Sequence, residues 1–383
     1  MKNSKLFSAD SHLEISPERW TERVPARYRD RAPRLVKLAN GGDGVIIEGR
    51  PLYVVGLAIA GRPYERHELS GVNYEGSEGA GTPEQRLKEQ DQDGVAGEIL
   101  YTSASNLTFW RGIKNDDAYL AVLHAYNTFL AEEYCAVNRD RLVAMGAIPT
   151  HSIEAAVSEL EYCAHAGLKG VMLNTFPSGK SYPTSEDDRF YRAAIDLNMA
   201  LTVHVGMQLP DGPLFKYDKN PGEVAFGGDP IRVLTRFGGN SGLNAVQLLL
   251  SGVFDRIPTL KIYWAETQMG WLPYYYEQLD DVYKRSRHWM ERYFGLEPLE
   301  REPSRYLREH CYWGFIYDPI GLRLRYEIGI ERIMWGNDFP HSAGDWPNSR
   351  RIIADLFAAV PDDEQSKILS GNVAEFFHLL PLG

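Results

Sequence analysis

Eight short apolar runs constrain this chain more than any other feature. They occupy residues 6–10, 95–102, 142–148, 170–173, 201–205, 260–265, 311–316 and 333–335, and many close on a small or polar residue. Between them lie segments with helical spacing or helix-start signals: 116–137, 152–166 with Ser152 at its N-cap, 190–197, 240–250, 271–293, 319–328 and 350–359. Strand–helix alternation along the whole chain predicts an α/β protein with a parallel sheet, and eight units predict a closed (β/α)8 TIM barrel. A doubly wound open sheet is the alternative that periodicity alone leaves standing. No repeat or linker divides the chain, so one domain over 1–383 is expected. Two stretches exceed a minimal barrel. Residues 40–65, NGGDGVIIEGRPLYVVGLAIAGRPYE, read as an early β-hairpin insertion with Gly-rich turns. Residues 207–239 form a connection long enough to be a functional lid or excursion.

In such a barrel, chemistry sits at the C-terminal ends of the strands. Reading only those ends leaves a short list. The first run ends ADSH, with Asp10 and His12 two apart and hence on one face. The fifth ends TVHVG with His204, the sixth YWAET with Glu266, and the eighth WGNDFPH with Asp338. A lone histidine at a strand end is usually a hydrogen-bonded structural residue, and Asp10 or Asp338 alone reads as a turn residue. Five ionisable side chains at four strand ends do not read that way together. Two imidazoles with carboxylates form a nitrogen/oxygen set suited to one divalent ion: zinc first, manganese or iron as alternatives. Asp10, His12, His204 and Asp338 are the predicted ligands. Glu266 reads as a catalytic or substrate-contacting acid, and Asp338 as the catalytic proton carrier. Trp110 and Arg111, in the loop after the second strand, and His341 are candidate substrate contacts. Arg111 would suit a substrate carboxylate.

Composition narrows the class. The net charge of −11 is spread along the chain, which disfavours nucleic acid and anionic membrane as partners. No run of 18 apolar residues exists, so no membrane span is expected. The start, MKNSKLFSADSH, lacks the pattern of a secretory signal. Cys135, Cys163 and Cys311 are far apart and odd in number, which argues against a disulfide framework. A cytoplasmic enzyme acting on a small molecule is the resulting expectation.

At these residues the chain also resembles a known group, the amidohydrolase superfamily. The likeness is to its branch containing aminocarboxymuconate-semialdehyde decarboxylase and the aromatic-acid decarboxylases. It rests on SADSHLE, NRDRLVAMGAIP, LKGVMLN, LTVHVG, GWLPYYYEQLD, WGNDFPH followed by WPNSR, and GNVAEFF, in that order. The resemblance implies a barrel with one catalytic divalent metal, His12 and Asp10 in the first-strand motif, and His204 and Asp338 as later ligands. It also implies a homodimer or higher homo-oligomer. Two departures stand out. The fourth strand ends Leu173-Asn174, with Lys169 before it, so the bridging carboxylated lysine of binuclear members has no counterpart. Glu266 occupies the place where the sixth strand often carries a histidine.

These readings predict a mononuclear metal-dependent hydrolase of a C–N or C–O bond in an amide, lactone or ester. The reasoning is that an ionised Glu266 beside the metal repels an anionic substrate and suits orientation of an attacking water. A metal-dependent non-oxidative decarboxylase of an aromatic or unsaturated acid is the alternative. A non-catalytic metal-binding scaffold is the third reading.

Overall fold

The structure is a computed structural model and describes residues 5–50, 53–54, 58–68, 70–217, 230–236 and 238–379. Eight of its strands are buried along nearly their whole length: β1 Phe7–His12, β5 Gly97–Tyr101, β6 Leu142–Ala147, β7 Gly170–Met172, β8 Ala200–His204, β9 Ile262–Ala265, β10 Cys311–Phe315 and β11 Ile333–Trp335. Strands buried this completely need cover on both faces, which helices on the outside and the facing strands inside provide. They pair in parallel in the order β1-β5-β6-β7-β8-β9-β10-β11, the succession the eight apolar runs predict. The barrel fold is thereby established.

The remaining seam, between β11 and β1, is closed without a regular ladder. Asp338 N–H donates to the Asp10 carbonyl at 2.9 Å, and His12 N–H donates to the Phe339 carbonyl at 2.7 Å. Gly336 makes this approach possible. A Cβ there would lie 2.5 Å from the Asp10 Cβ, far inside van der Waals contact. Below the seam, Asn372 Nδ2 donates to the Ile333 and Ile330 carbonyls at 2.7 and 2.8 Å, tying the closing GNVAEFF helix to the start of β11. Phe376 and Phe377 pack on Tyr263 of β9.

The early insertion is larger than the sequence suggests. It is a three-stranded antiparallel sheet of β2 Arg34–Lys37, β3 Asp43–Ile46 and β4 Tyr53–Val54, so it begins before residue 40. Residues 51–52 and 55–57 of the predicted hairpin lie outside the described residues, as do 218–229 and 237 of the long connection. The described part of that connection includes a helix, Pro230–Thr235. Helix 319–328 is interrupted at Leu324 into Pro319–Arg323 and Arg325–Ile328. Helices Pro83–Asp93, Ala104–Arg111 and Pro303–His310 add to those the spacing predicts. Among the described residues no helix is long and apolar enough to cross a membrane. All three cysteines are buried and unbridged.

Candidate metal centre

The strand ends bring the predicted polar residues to one point. β1 ends at His12 with Asp10 two residues earlier, β8 ends at His204, Glu266 follows β9, and Asp338 lies three residues past β11. Asp10, His12, His204, Glu266 and Asp338 each offer one ligand atom, and those atoms all lie within 4.8 Å of one another. His12 Nε2 is 3.2 Å from Asp338 Oδ1 and 3.7 Å from Asp10 Oδ1. His204 Nε2 is 3.3 Å from Asp10 Oδ1 and 3.4 Å from Glu266 Oε2.

Proximity alone does not satisfy these groups. Both Asp10 carboxylate oxygens, Asp338 Oδ1, and the Nε2 atoms of His12 and His204 are buried without a hydrogen-bond partner. Native proteins seldom leave such atoms unpaired, because each carries a desolvation penalty of about 1–3 kcal/mol or more. Three carboxylates and two imidazoles converge on one point, with unpaired atoms on Asp10, His12, His204 and Asp338, and have the donor chemistry a divalent cation needs. The cluster is a divalent-metal site.

Backbone geometry marks the same place. Val205, Glu266 and Asp338 have φ of 58°, 53° and 52°, a left-handed conformation unfavourable for residues with a side chain. Each lies just beyond a barrel strand, where the chain turns sharply: Val205 directly after His204, and Glu266 and Asp338 at the cluster themselves. Strain of this kind gathers at functional sites.

The electrostatics are lopsided. Burial, with the His341 and His204 rings nearby, lowers the His12 pKa to about 4, so its ring is neutral. Burial opposes charge on His204, but Asp10 and Glu266 raise its pKa overall. Burial would also raise the Asp338 carboxyl, yet the His12 and His341 rings hold it well below the usual carboxylate range. Glu266 moves the other way: burial first, then Asp338 and Asp10, push it up to about 7.

His341 lies beside the cluster. Its ring stacks on His12 with centroids 3.9 Å apart, and its Nδ1 is 3.2 Å from Asp338 Oδ1. Its Nε2 is hydrogen-bonded to Glu14 Oε1 at 3.0 Å. Burial works against protonation of this ring, but Asp338 and Glu14 outweigh it and raise the pKa to about 10. Glu14 is absent from the residues the strand ends single out, although it continues the two-residue spacing of Asp10 and His12. Trp110 lies in helix Ala104–Arg111, buried against Trp20 and Tyr126. Arg111 is exposed, with its guanidinium 5.2 Å from the Tyr119 ring centroid. A second group carries no strand-end signal: Arg86 and Glu98, fully buried and paired at 2.7 Å, beside Ser8, Ser11 and Asn337.

Comparison with known proteins adds chemistry to this geometry. The chain is 26% identical over 283 residues to gamma-resorcylate decarboxylase of Rhizobium sp. (strain MTP-10005), covering 70% of this chain and 80% of the relative. Its fold matches 5-carboxyvanillate decarboxylase from Sphingomonas paucimobilis with a TM-score of 0.64 at 21% identity, over 99% of this chain and 100% of the other. It matches 5-carboxyvanillate decarboxylase from Novosphingobium aromaticivorans, complexed with manganese and 4-hydroxy-3-methoxy-5-nitrobenzoic acid, with a TM-score of 0.66 at 18% identity, over 99% and 97% of the two chains. The expectation of a hydrolase of C–N or C–O bonds is overturned by these relatives, which are decarboxylases. The physical error lay in Glu266. The preference for hydrolysis treated its carboxylate as a fixed repelling charge, whereas burial and the Asp338 and Asp10 carboxylates push its pKa in the metal-free cluster up to about 7. The sequence pattern of the amidohydrolase family spans residues 82–379, most of the barrel and its closing helix, and this chain is an enzyme belonging to that family.

Proposed function

We propose that the protein is a manganese-dependent, non-oxidative decarboxylase of an aromatic acid with a hydroxyl group ortho to the carboxylate. The observation that carries the reading is the similarity to decarboxylases of that substrate type, as with gamma-resorcylate, which is 2,6-dihydroxybenzoate. Manganese is preferred to zinc because the set is rich in carboxylate oxygen and because neighbouring folds hold manganese. Asp10, His12, His204 and Asp338 are assigned as the ligands. A cation held there would supply positive charge to attract and orient an anionic substrate.

The remaining work falls to side chains. Loss of CO2 breaks one C–C bond and leaves an electron pair on a ring carbon that must gain one proton. Asp338 is the group assigned to deliver it. His341, protonated at neutral pH, holds a proton at Nδ1 within 3.2 Å of Asp338 Oδ1, and Glu14 fixes the ring from the far side. The proton therefore moves in one concerted relay: the ring carbanion takes a proton through the Asp338 carboxylate as His341 Nδ1 gives one up, so that Asp338 is never left as a free acid, and the neutral His341 is reprotonated in a later step. Glu266 borders the substrate side, and burial with the Asp338 and Asp10 carboxylates raises its pKa, so that in its neutral form it can donate a hydrogen bond. Trp110 and Arg111 have no part in this reading.

The test is a panel of ortho-hydroxybenzoates, meta- and para-hydroxybenzoates, and amides, lactones and esters, each offered to Mn2+-loaded protein in D2O. CO2 release with one deuterium entering the ring of ortho-hydroxy acids is expected. No CO2 from any acid in the panel, with turnover of an ester, lactone or amide, would reject the proposal.

A further inference from the structure

Helix Pro83–Asp93 turns a polar face inward. Arg86, Glu89, Gln90 and Asp93 are all buried, at the spacing that normally carries apolar residues. Each has an assignment. Glu89 Oε1 accepts from Gly79 N–H at 3.1 Å and Gln85 Nε2 at 2.8 Å. Gln90 Nε2 donates to Glu98 Oε2 at 2.7 Å. Asp93 accepts from the Ser349 N–H and Oγ at 2.8 and 2.6 Å. Arg86 does something different. Its Nε donates to Glu98 Oε2 at 2.7 Å, its Nη1 to the His12 carbonyl at 3.0 Å and its Nη2 to the Phe339 carbonyl at 3.1 Å, while its guanidinium covers the Phe339 ring.

Those two carbonyls belong to His12 and to the residue after Asp338. They sit on opposite sides of the seam that the barrel closes without a regular ladder, and one guanidinium spans both. The rigid fork of arginine fixes the separation of its acceptors, which the ammonium of lysine does not. Glu98 holds the fork in turn, and its other oxygen lies 3.1 Å from Ser11 Oγ, returning the network to β1.

We infer that Arg86, oriented by Glu98, is a positioning residue that sets the distance between His12 and Asp338 and thereby the affinity of the metal site. The inference rests on the metal reading above. A buried ion pair is weak evidence for stability, since apolar replacement of such pairs is often neutral. A clamp on ligand-bearing backbone gives this pair a purpose that stability does not. Groups that orient metal ligands are typically worth about 10–100-fold in affinity.

The experiment compares Mn2+ affinity, by competition with a fluorescent chelator, and thermal melting of metal-free protein in wild type, Arg86→Lys and Ser349→Ala. Ser349→Ala loosens the far end of the same helix without touching the seam. The expected result is a loss of about tenfold or more in Mn2+ affinity for Arg86→Lys and none for Ser349→Ala, with both variants folded. Were Arg86 merely stabilising, affinity would follow melting temperature in both variants, and that outcome overturns the inference. So does an Arg86→Lys protein whose affinity stays within twofold of wild type. If Arg86→Lys does not fold, Glu98→Gln takes its place. It keeps an acceptor but removes the charge that holds the fork, and the same loss or its absence decides. Failure of the wild type to bind Mn2+ at all would remove the metal reading and this inference together, a result distinct from binding that the variants leave unchanged.

Discussion

The two halves of the metal cluster are built differently. On the β1/β11 side, Asp10, His12 and Asp338 have side chains only 1–2% exposed. They stand on a lattice of side-chain bonds: Ser11 Oγ to Asn337 Oδ1 at 2.7 Å, Asn337 N–H to Ser8 Oγ at 2.9 Å, and the Arg86–Glu98 pair beneath. On the β8/β9 side the register is held by backbone pairing, His204 opposite Ala265. There Glu266 is 26% exposed and Val205 is 43% exposed. One half is fixed before any ligand arrives; the other faces the space through which a substrate must come. A site that places a metal accurately yet admits a variable molecule needs this division, because accuracy depends on a locked surround and access does not.

The largest effects come from changes to the residues assigned as ligands, on either side. Asp338→Asn should lower kcat by about 10³-fold, within the range associated with losing a positioned proton carrier. Circular dichroism should show an intact fold. Activity near that of wild type in a fully metallated variant would remove Asp338 from the proton route. His204→Ala sits on the open side but supplies a ligand, so it should leave kcat unmeasurable by emptying the site rather than by blocking chemistry. Elemental analysis separates the cases: metal stays in the first variant to a greater extent than in the second.

How far the sequence exposes this arrangement follows from what each residue does. The eight strands are legible because strands buried on both faces are mostly apolar, and the positions of Asp10, His12, His204 and Asp338 follow from where those runs stop. Helix Pro83–Asp93 is not legible for the opposite reason. Its buried face is Arg86, Glu89, Gln90 and Asp93, so its pattern is that of a solvated surface, and only partners distant in sequence turn it inward. The antiparallel sheet shows in the sequence from residue 40 but begins earlier, since Arg34–Lys37 is a half-exposed strand without strong alternation. The choice between hydrolysis and decarboxylation is not legible in the strand ends, since both reactions use the same residues and the crowding of Glu266 against Asp338 and Asp10, which raises its pKa, exists only in three dimensions.

A change one step removed from the ligands should have an intermediate effect. Glu14→Gln leaves His341 in place but removes the carboxylate that fixes its Nε2, and about a tenfold fall in kcat with little change in Mn2+ affinity is expected, below the roughly 10²–10⁴-fold of a direct acid–base group because Glu14 acts only through His341. Unchanged kcat would mean that His341 needs no partner. The same pair gives a stability signature in metal-free protein. The folded pKa of His341, raised to about 10, exceeds its unfolded value near 6.5, so its contribution is complete below about pH 6.5 and is lost as pH rises through 10. Wild type should therefore lose melting temperature between pH 7 and 10 more steeply than His341→Asn. Parallel curves would show that the ring is not held as a cation.

The smallest effect belongs to Glu266, and it sharpens the contrast most. The side chain borders the open half, and its carboxyl is raised to about 7 by burial and by Asp338 and Asp10. Below that pH it is neutral and costs an anionic substrate little; above it, the added negative charge opposes the substrate's carboxylate across a partly solvated gap. Glu266→Gln keeps the size and the hydrogen-bonding capacity of the neutral acid while removing the titration. At pH 6 the KM for an ortho-hydroxybenzoate should match that of wild type, and at pH 8 it should be lower by a few-fold, with kcat altered less. A KM that rises equally at both pH values would mean that the carboxyl itself grips the substrate. In that case the open half would hold one geometry as tightly as the seam does, and the distinction between a fixed metal side and an adaptable substrate side would not stand.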